Sequence, residues 1–218
     1  MTWGWIPRNV ELIWELTLEH IWLALVPVVL GLIVSLPLGW LATRNPTVRT
    51  VVVTVTGLLY TIPSLALIVM MPLLLGIQIL DPLNVVVALT IYTVALLVRS
   101  VADALDAVPG VVTAAATAMG YSPVRRFVGV ELPLAVPVVI AGLRVAAVSN
   151  MSLVTVGALV GLGGLGQLFT EGFQRDIPAE IITGIVLVML LALIVDVLLL
   201  HLGRLITPWT RVGAGARP

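Results

Sequence analysis

The sequence predicts an all-α integral membrane protein with about five transmembrane helices and one short helix-turn-helix between two of them. Two observations predict this class. Of the 218 residues, 60% are hydrophobic and only 10% are charged, whereas a soluble domain carries about 25% charged residues. The apolar runs have the length of membrane spans and do not alternate with polar residues, which indicates helices rather than a transmembrane barrel.

The first apolar run predicts a span at about residues 20–43, preceded by an amphipathic lead-in at residues 1–16 outside the membrane. At 1.5 Å of rise per residue, about 24 residues are enough to cross about 30 Å of hydrocarbon. Three glutamates recur at every fourth position, on one helical face: Glu11, Glu15 and Glu19. Three small residues recur at the same spacing within the span: Gly31, Ser35 and Gly39. This stripe predicts close packing of the span against another helix.

The second apolar run is too long for one straight span. Residues 50–80 carry no charge, and this run of about 31 residues exceeds the about 20 that a span needs. Two prolines interrupt it: Pro63 and Pro72. Because proline kinks or breaks a helix, we predict a second span at about residues 51–71 that is kinked at residues 60–64. A third span is predicted at about residues 83–98.

A charged segment at residues 109–133, here named the docking segment, lies between two apolar runs of span length. Turn residues introduce a short helix over residues 111–119, and Gly120 follows where a helix ends in a left-handed residue. Ser122 and Pro123 predict the cap and the first residue of a second short helix. We interpret this helix-turn-helix as a docking surface for a partner rather than as a catalytic element.

Two further spans are predicted at about residues 133–156 and 181–202, followed by a tail at residues 204–218. Most arginines lie in the first loop, around the docking segment and in the tail: Arg44, Arg49, Arg99, Arg125, Arg126, Arg204, Arg211 and Arg217. The opposite side holds Arg8 and Arg175. Because cytoplasmic loops carry the positive charge, the N-terminus is predicted outside, and the docking segment and the C-terminus in the cytoplasm.

Two ionisable residues are predicted inside the spans, Arg144 and Asp196. Charged residues within a membrane point to a function by default, so in one interpretation the two gate or line a transport pathway. In the other, each pairs with backbone or with a neighbouring subunit, or extends toward the interface. Asn150 lies in the same span as Arg144 and is a further pathway candidate, although interhelical hydrogen bonding is the commoner role of such a residue.

The sequence shows no constellation for catalysis or metal binding. Residues 161–166 match the spacing of a dinucleotide-binding loop, but no strand–turn–helix unit surrounds them, so we interpret them as a glycine-rich break at the end of a span. His20 and His201 have no partner at ligand spacing, and the chain has no cysteine. ATP-hydrolysis motifs are absent. We therefore expect no enzyme activity, no cofactor or metal on this chain, and no nucleic-acid partner.

Parts of the docking segment have a distinctive pattern: AAATAMG at residues 114–120 and VELPL at residues 130–134, followed by Pro137. These stretches resemble the cytoplasmic Glu-Ala-Ala loop of binding-protein-dependent ABC importer permeases. Three others resemble the osmoprotectant branch of that family, which handles glycine betaine, choline, carnitine and proline: YTIPSLAL (60–67), AGLR (141–144) and VGLGGLG (160–166). The resemblance covers about residues 17–203.

The resemblance implies a type I ABC importer permease fold and coupling to a separate ATPase, which would bind ATP and Mg²⁺. It implies that the following residues contact the ATPase: Ala114, Ala115, Ala116, Gly120, Tyr121, Arg125, Leu132 and Pro133. It adds three pathway or gate candidates to Arg144, Asn150 and Asp196: Tyr60, Pro63 and Ser64. Ala114 stands where the family has glutamate, so one charged contact with the ATPase is absent here.

The resemblance also implies three kinds of partner in a bacterial inner membrane. These are ABC ATPase subunits, a second permease subunit that is a copy or a paralogue, and an extracytoplasmic solute-binding protein. Aromatic residues make up only 6% of the chain, and a quaternary ammonium is normally held by an aromatic cage. The cage is therefore expected on the binding protein, with a permissive pathway in this chain.

Other functions remain open from the sequence. One is an ABC importer permease for another small solute, such as an amino acid. A function of a different class is an ion-coupled secondary transporter, against which stand the lack of an inverted repeat and the scarcity of intramembrane acids. A membrane enzyme would need a nucleophile–base or metal constellation, which the sequence lacks.

Overall fold

A computed structural model describes residues 4–211, and this range contains helices, turns and loops but no strand. The helices are α1 (Trp5–Arg8), α2 (Val10–Ala42), α3 (Pro46–Thr61), α4 (Ser64–Leu75), α5 (Leu83–Asp106), α6 (Gly110–Ala118), α7 (Pro123–Arg126), α8 (Leu132–Gly157), α9 (Gln167–Gln174) and α10 (Pro178–Ile206). A π-helical turn at Phe127–Glu131 joins α7 to α8, and 3-10 turns at Ala158–Val160 and Gly164–Gly166 precede α9.

Four helical stretches in the described range are long and apolar enough to span a membrane, and the bent pair α3–α4 makes a fifth candidate. The predicted all-helical class with about five spans is thereby confirmed. Two parts of the predictions lie outside the described range: residues 1–3 of the lead-in and the tail beyond residue 211. The predicted cytoplasmic location of Arg217 concerns the second of these parts.

Residues 10–16 of the predicted lead-in and the first span form one continuous helix, α2, and α1 precedes it as a separate short helix. Residues 10–26 contain neither glycine nor proline, so nothing interrupts the helix before it enters the apolar run. The other long helices also extend past their predicted ends: α5 continues to Asp106 and α10 to Ile206. Hydropathy marks the part of a helix that lies in hydrocarbon, whereas the helix itself continues until a residue that breaks it.

The second span is broken at Pro63 rather than kinked. The axes of α3 and α4 differ by 101°. Ile62 and Pro63 both have extended backbone, with ψ of 128° and 133°. The residue before a proline is driven out of the helical conformation by the proline ring. Two consecutive extended residues therefore turn the chain almost at a right angle between α3 and α4.

The core of the bundle lies between α2, α5 and α8. Each of these helices contributes side chains that are 0% exposed, among them Leu23, Leu89 and Met151. The faces of α10 and α3 that point away from this core are exposed and apolar. Such faces suit contact with lipid or with another membrane subunit.

The small-residue stripe of α2 packs directly against α5. Ser35 is fully buried, and Gly31 lies against the side chain of Thr93. At Gly39 a Cβ atom would lie only 2.5 Å from Cγ1 of Val101, so the two helices approach too closely for any larger residue. The predicted packing role of this stripe is confirmed.

Replacing Gly39 by leucine is expected to lower the free energy of unfolding by about 1–3 kcal/mol, because the added atoms would have to fit between two packed helices. Melting curves of the purified chain in detergent measure this effect. Gly110→Ala is the control, since a Cβ at Gly110 would meet no atom within 4 Å. Equal melting temperatures for Gly39→Leu and the wild type would contradict the packing role.

Candidate functional site

The docking segment folds as two short helices, α6 and α7, separated by a glycine turn. Gly120 has a φ of +84°. The amide of Tyr121 donates to the carbonyl of Ala116 (3.1 Å), and the amide of Gly120 donates to that of Thr117 (3.0 Å). This pair of hydrogen bonds is the Schellman motif that closes a helix C-terminus. The predicted helix–glycine–helix order is confirmed.

Arg126 connects the two short helices to the base of α8. Its Nε donates to Oε1 of Glu131 at 2.5 Å, and its Nη1 donates to Oγ1 of Thr117 at 2.9 Å. Glu131 is only 7% exposed. Phe127 packs on Trp40 of α2, with ring centroids 5.2 Å apart. The docking segment is therefore a rigid extension of the helical bundle rather than a loose loop.

The outer surface of the docking segment is largely hydrophobic. Four large side chains on it are between 41% and 75% exposed: Val111, Met119, Tyr121 and Val124. Of the residues predicted to contact an ATPase, the exposed ones are Ala114, Ala115, Gly120, Tyr121 and Arg125. Ala116 is buried, and Leu132 and Pro133 are half-buried at the start of α8. Exposed hydrophobic surface of this kind is typical of contact with another protein or with lipid.

A group of charged residues lies at the same end of the bundle, where α3 begins and α5 ends. The guanidinium of Arg49 donates to Asp103 at 2.5 Å and also to Asp106. Nε of Arg99 lies 3.8 Å from Oδ2 of Asp103. The two pairs of Arg49 tie α3 to the end of α5 from which the docking segment continues.

Arg144 of α8 and Asp196 of α10 bind each other. Nε donates to Oδ1 at 2.8 Å and Nη2 donates to Oδ2 at 2.7 Å, the parallel geometry of a strong guanidinium–carboxylate pair. The side chains are 31% and 26% exposed, so the pair lies near the edge of the bundle. This mutual pairing was not predicted, because the two residues are 52 positions apart on different helices.

Three predicted pathway residues lie at the break between α3 and α4. Tyr60 is 47% exposed and contacts the ring of Tyr92, which is 5% exposed, with centroids 5.6 Å apart and planes at 67°. Pro63 is exposed, and the half-buried Ser64 begins α4. The contact between the two tyrosines was not predicted, since periodicity does not tell which helices are neighbours.

Asn150 lies in the packed interior, between α2, α5 and α8. Its Nδ2 donates to Oγ1 of Thr93 at 2.9 Å and to the carbonyl of Ala24 at 3.4 Å. The residue is 0% exposed. Its contacts are those of an interhelical hydrogen bond rather than of a groove-lining side chain.

The glycine-rich run forms tight turns between α8 and α9. A Cβ at Gly164 would lie 2.8 Å from the backbone of His20, so glycine is required for this close approach. His20 itself is fully buried, with Nε2 3.1 Å from the carbonyl of Met151. No strand adjoins the run in the described range. Residues 4–211 hold no cluster of three metal-ligating side chains.

Comparisons with known proteins bear on this arrangement. A family model described as "Binding-protein-dependent transport system inner membrane component" matches residues 35–208. The chain is 36% identical, over 89% of its length and 91% of the relative, to the osmoprotectant import permease protein OsmW of Salmonella typhimurium. It is 32% identical, over 91% of its length and 89% of the relative, to the glycine betaine/carnitine/choline transport system permease protein OpuCB of Bacillus subtilis. Among solved structures, the MetNI methionine ABC transporter in an inward-facing conformation superposes with a TM-score of 0.82 at 25% identity, covering 92% of this chain and 98% of that one.

Proposed function

The chain belongs to the family of inner membrane components of binding-protein-dependent transport systems, and on this premise we propose that it carries a quaternary ammonium osmoprotectant into the cell. Family membership makes it a non-catalytic transport subunit in the membrane. Its fold is that of ABC importer permeases, so ATP hydrolysis belongs to a partner subunit and solute capture to a binding protein.

The rigid docking segment carries the coupling part of the proposal. Its exposed hydrophobic surface would sit in a cleft of the ATPase, and the bond from Arg126 to Glu131 would transmit movement to α8. Closure of two ATPases around ATP would then rock the spans between inward-open and outward-open states. Tyr121 and Arg125 offer an aromatic ring and a cation at the tip, in place of the charged contact absent at Ala114.

We also propose an orientation for the chain in the membrane. The docking segment and the ion pairs of Arg49 lie at one end of the bundle, and the ion pairs of Arg175 with Glu171 and Glu180 lie at the other. The first end holds most of the arginines, which by the positive-inside rule supports a cytoplasmic location for it. The N-terminus is then outside and the C-terminus inside, and the exposed faces of α3 and α4 are available to a second permease, either a copy or a paralogue.

The names of the relatives support the solute class. OsmW is named for osmoprotectants, and OpuCB for glycine betaine, carnitine and choline. The likeness to the MetNI methionine transporter favours a second candidate, an amino-acid importer. An ion-coupled mechanism is less well supported, since Asp196 is already bound to Arg144.

Reconstitution tests the proposal. The chain, purified with its ATPase and binding protein and placed in liposomes, is expected to take up radiolabelled glycine betaine or choline only when ATP is present. Uptake that follows a proton or sodium gradient without ATP would refute the coupling. Uptake of methionine but not of either quaternary ammonium would support the amino-acid candidate instead.

A further inference from the structure

A groove runs along the contact between α3 and α5. It has a volume of about 240 Å³, and its lining includes Gly57 and Tyr60 of α3 and Arg99 of α5. Tyr60 contacts Tyr92, and Arg99 lies seven residues, or two helical turns, beyond Tyr92 on the same face of α5. At 1.5 Å per residue the aromatic and cationic ends are about 10 Å apart along the helix.

The end of the groove at Tyr60 is aromatic. The chain has three tyrosines, and two of them meet here. Tyr92 is almost fully buried and holds Tyr60 by an edge contact, while Tyr60 keeps 47% of its surface exposed. An aromatic ring that is fixed in place and partly exposed can attract a cation, and trimethylammonium groups are bound in this way.

The end of the groove at Arg99 is cationic. The side chain of Arg99 is 73% exposed, and its Nε lies 3.8 Å from Asp103, which is too far for a hydrogen bond. Asp103 accepts its hydrogen bond from Arg49 at 2.5 Å instead. The planar guanidinium of Arg99 can therefore turn its donors toward a carboxylate in the groove.

We propose that this groove is a solute-binding site of the transport pathway, for small zwitterions with a trimethylammonium group and a carboxylate. The ammonium lies against Tyr60 and the carboxylate against Arg99. The inference rests on the proposed osmoprotectant transport and narrows it: glycine betaine and carnitine satisfy both ends, whereas choline has no carboxylate. The transport pathway then contributes to the choice of solute, whereas the sequence analysis expected the binding protein alone to make that choice.

Gly57 explains why the groove is open. Gly57 lines the groove, and a Cβ at this position would meet no atom within 4 Å. Leucine is also a better helix former than glycine. Gly57→Leu therefore fills the groove, and it is expected to reduce uptake of glycine betaine and choline alike while the importer still assembles.

The test compares two solutes in the reconstituted importer, with the binding protein saturating so that solute capture does not limit the rate. Tyr60→Leu is expected to lower uptake of glycine betaine and of choline about three- to thirtyfold, and Tyr60→Phe, which keeps the ring, to lower it less. Arg99→Gln is expected to lower the ratio of glycine betaine to choline uptake about tenfold or more. Arg99→Lys, which keeps the charge, should lie between Arg99→Gln and the wild type.

The outcomes separate this inference from the proposed function. A wild-type importer that carries neither solute overturns the function, and with it the site. A wild type that carries both, together with an unchanged uptake ratio in Arg99→Gln, overturns the site alone. Normal uptake by an assembled Gly57→Leu importer also overturns the site but not the proposed function. If Tyr60→Leu does not assemble on size-exclusion chromatography, the uptake ratio of Arg99→Gln decides.

Discussion

Replacing Gly120 by valine is expected to lower ATP-driven uptake by about tenfold or more while the chain still inserts into the membrane. Gly120 has a φ of +84°, a conformation that costs an L-residue about 1–2 kcal/mol and is a genuine outlier for a β-branched one. To escape it, the turn must open and release the hydrogen bond from Tyr121 to Ala116. The surface proposed to meet the ATPase would then change shape, and binding would weaken accordingly.

Gly76 offers a matched control for this prediction. It also ends a helix, has a φ of +67°, and has no atom within 4 Å of where a Cβ would lie. Gly76→Val therefore introduces comparable backbone strain, but at the C-terminus of α4, away from the docking segment. The amount of ATPase that co-purifies with each variant is the measurement. Equal loss of the ATPase from both variants would mean that general strain, not docking, explains the Gly120 effect.

The docking segment shows which structural features can be predicted from a sequence. Its two helices and the left-handed Gly120 follow from proline and glycine punctuation, which acts over a few residues. The link from Arg126 to Glu131 was not predicted, because it spans five residues across a π-helical turn. A regular helix would have placed partners three or four residues apart.

The second span illustrates a limit of a different kind. Pro63 predicts a kink or break in the helix, but the sequence does not specify the angle through which the chain turns. The angle of 101° depends on the extended backbone of both Ile62 and Pro63. The contact of Tyr60 with Tyr92 then depends on α3 and α5 being neighbours, which is a property of the whole bundle. For these reasons the groove between α3 and α5 could not be predicted from the sequence.

The pair of Arg144 and Asp196 shows the same limit inside the membrane. Counting residues along each helix gives the approximate depth of both groups. It does not give the direction in which each side chain points around its helix axis, so their meeting was not foreseen. The bidentate contact now favours a joining role between α8 and α10 over two independent pathway residues, and the two roles make different predictions.

If the pair joins the two helices, Arg144→Gln and Asp196→Asn are each expected to destabilise the chain strongly, because each leaves one charge at membrane depth without its partner. Melting of the purified chain in detergent should fall by about 5 °C or more for either variant. The double variant Arg144→Gln with Asp196→Asn removes both charges and should recover at least half of the loss, which a double-mutant cycle detects as coupling. Glu15→Gln, at an exposed position, controls for loss of a carboxylate as such. Single variants that melt like the wild type but no longer transport solute would instead assign the two residues to the pathway.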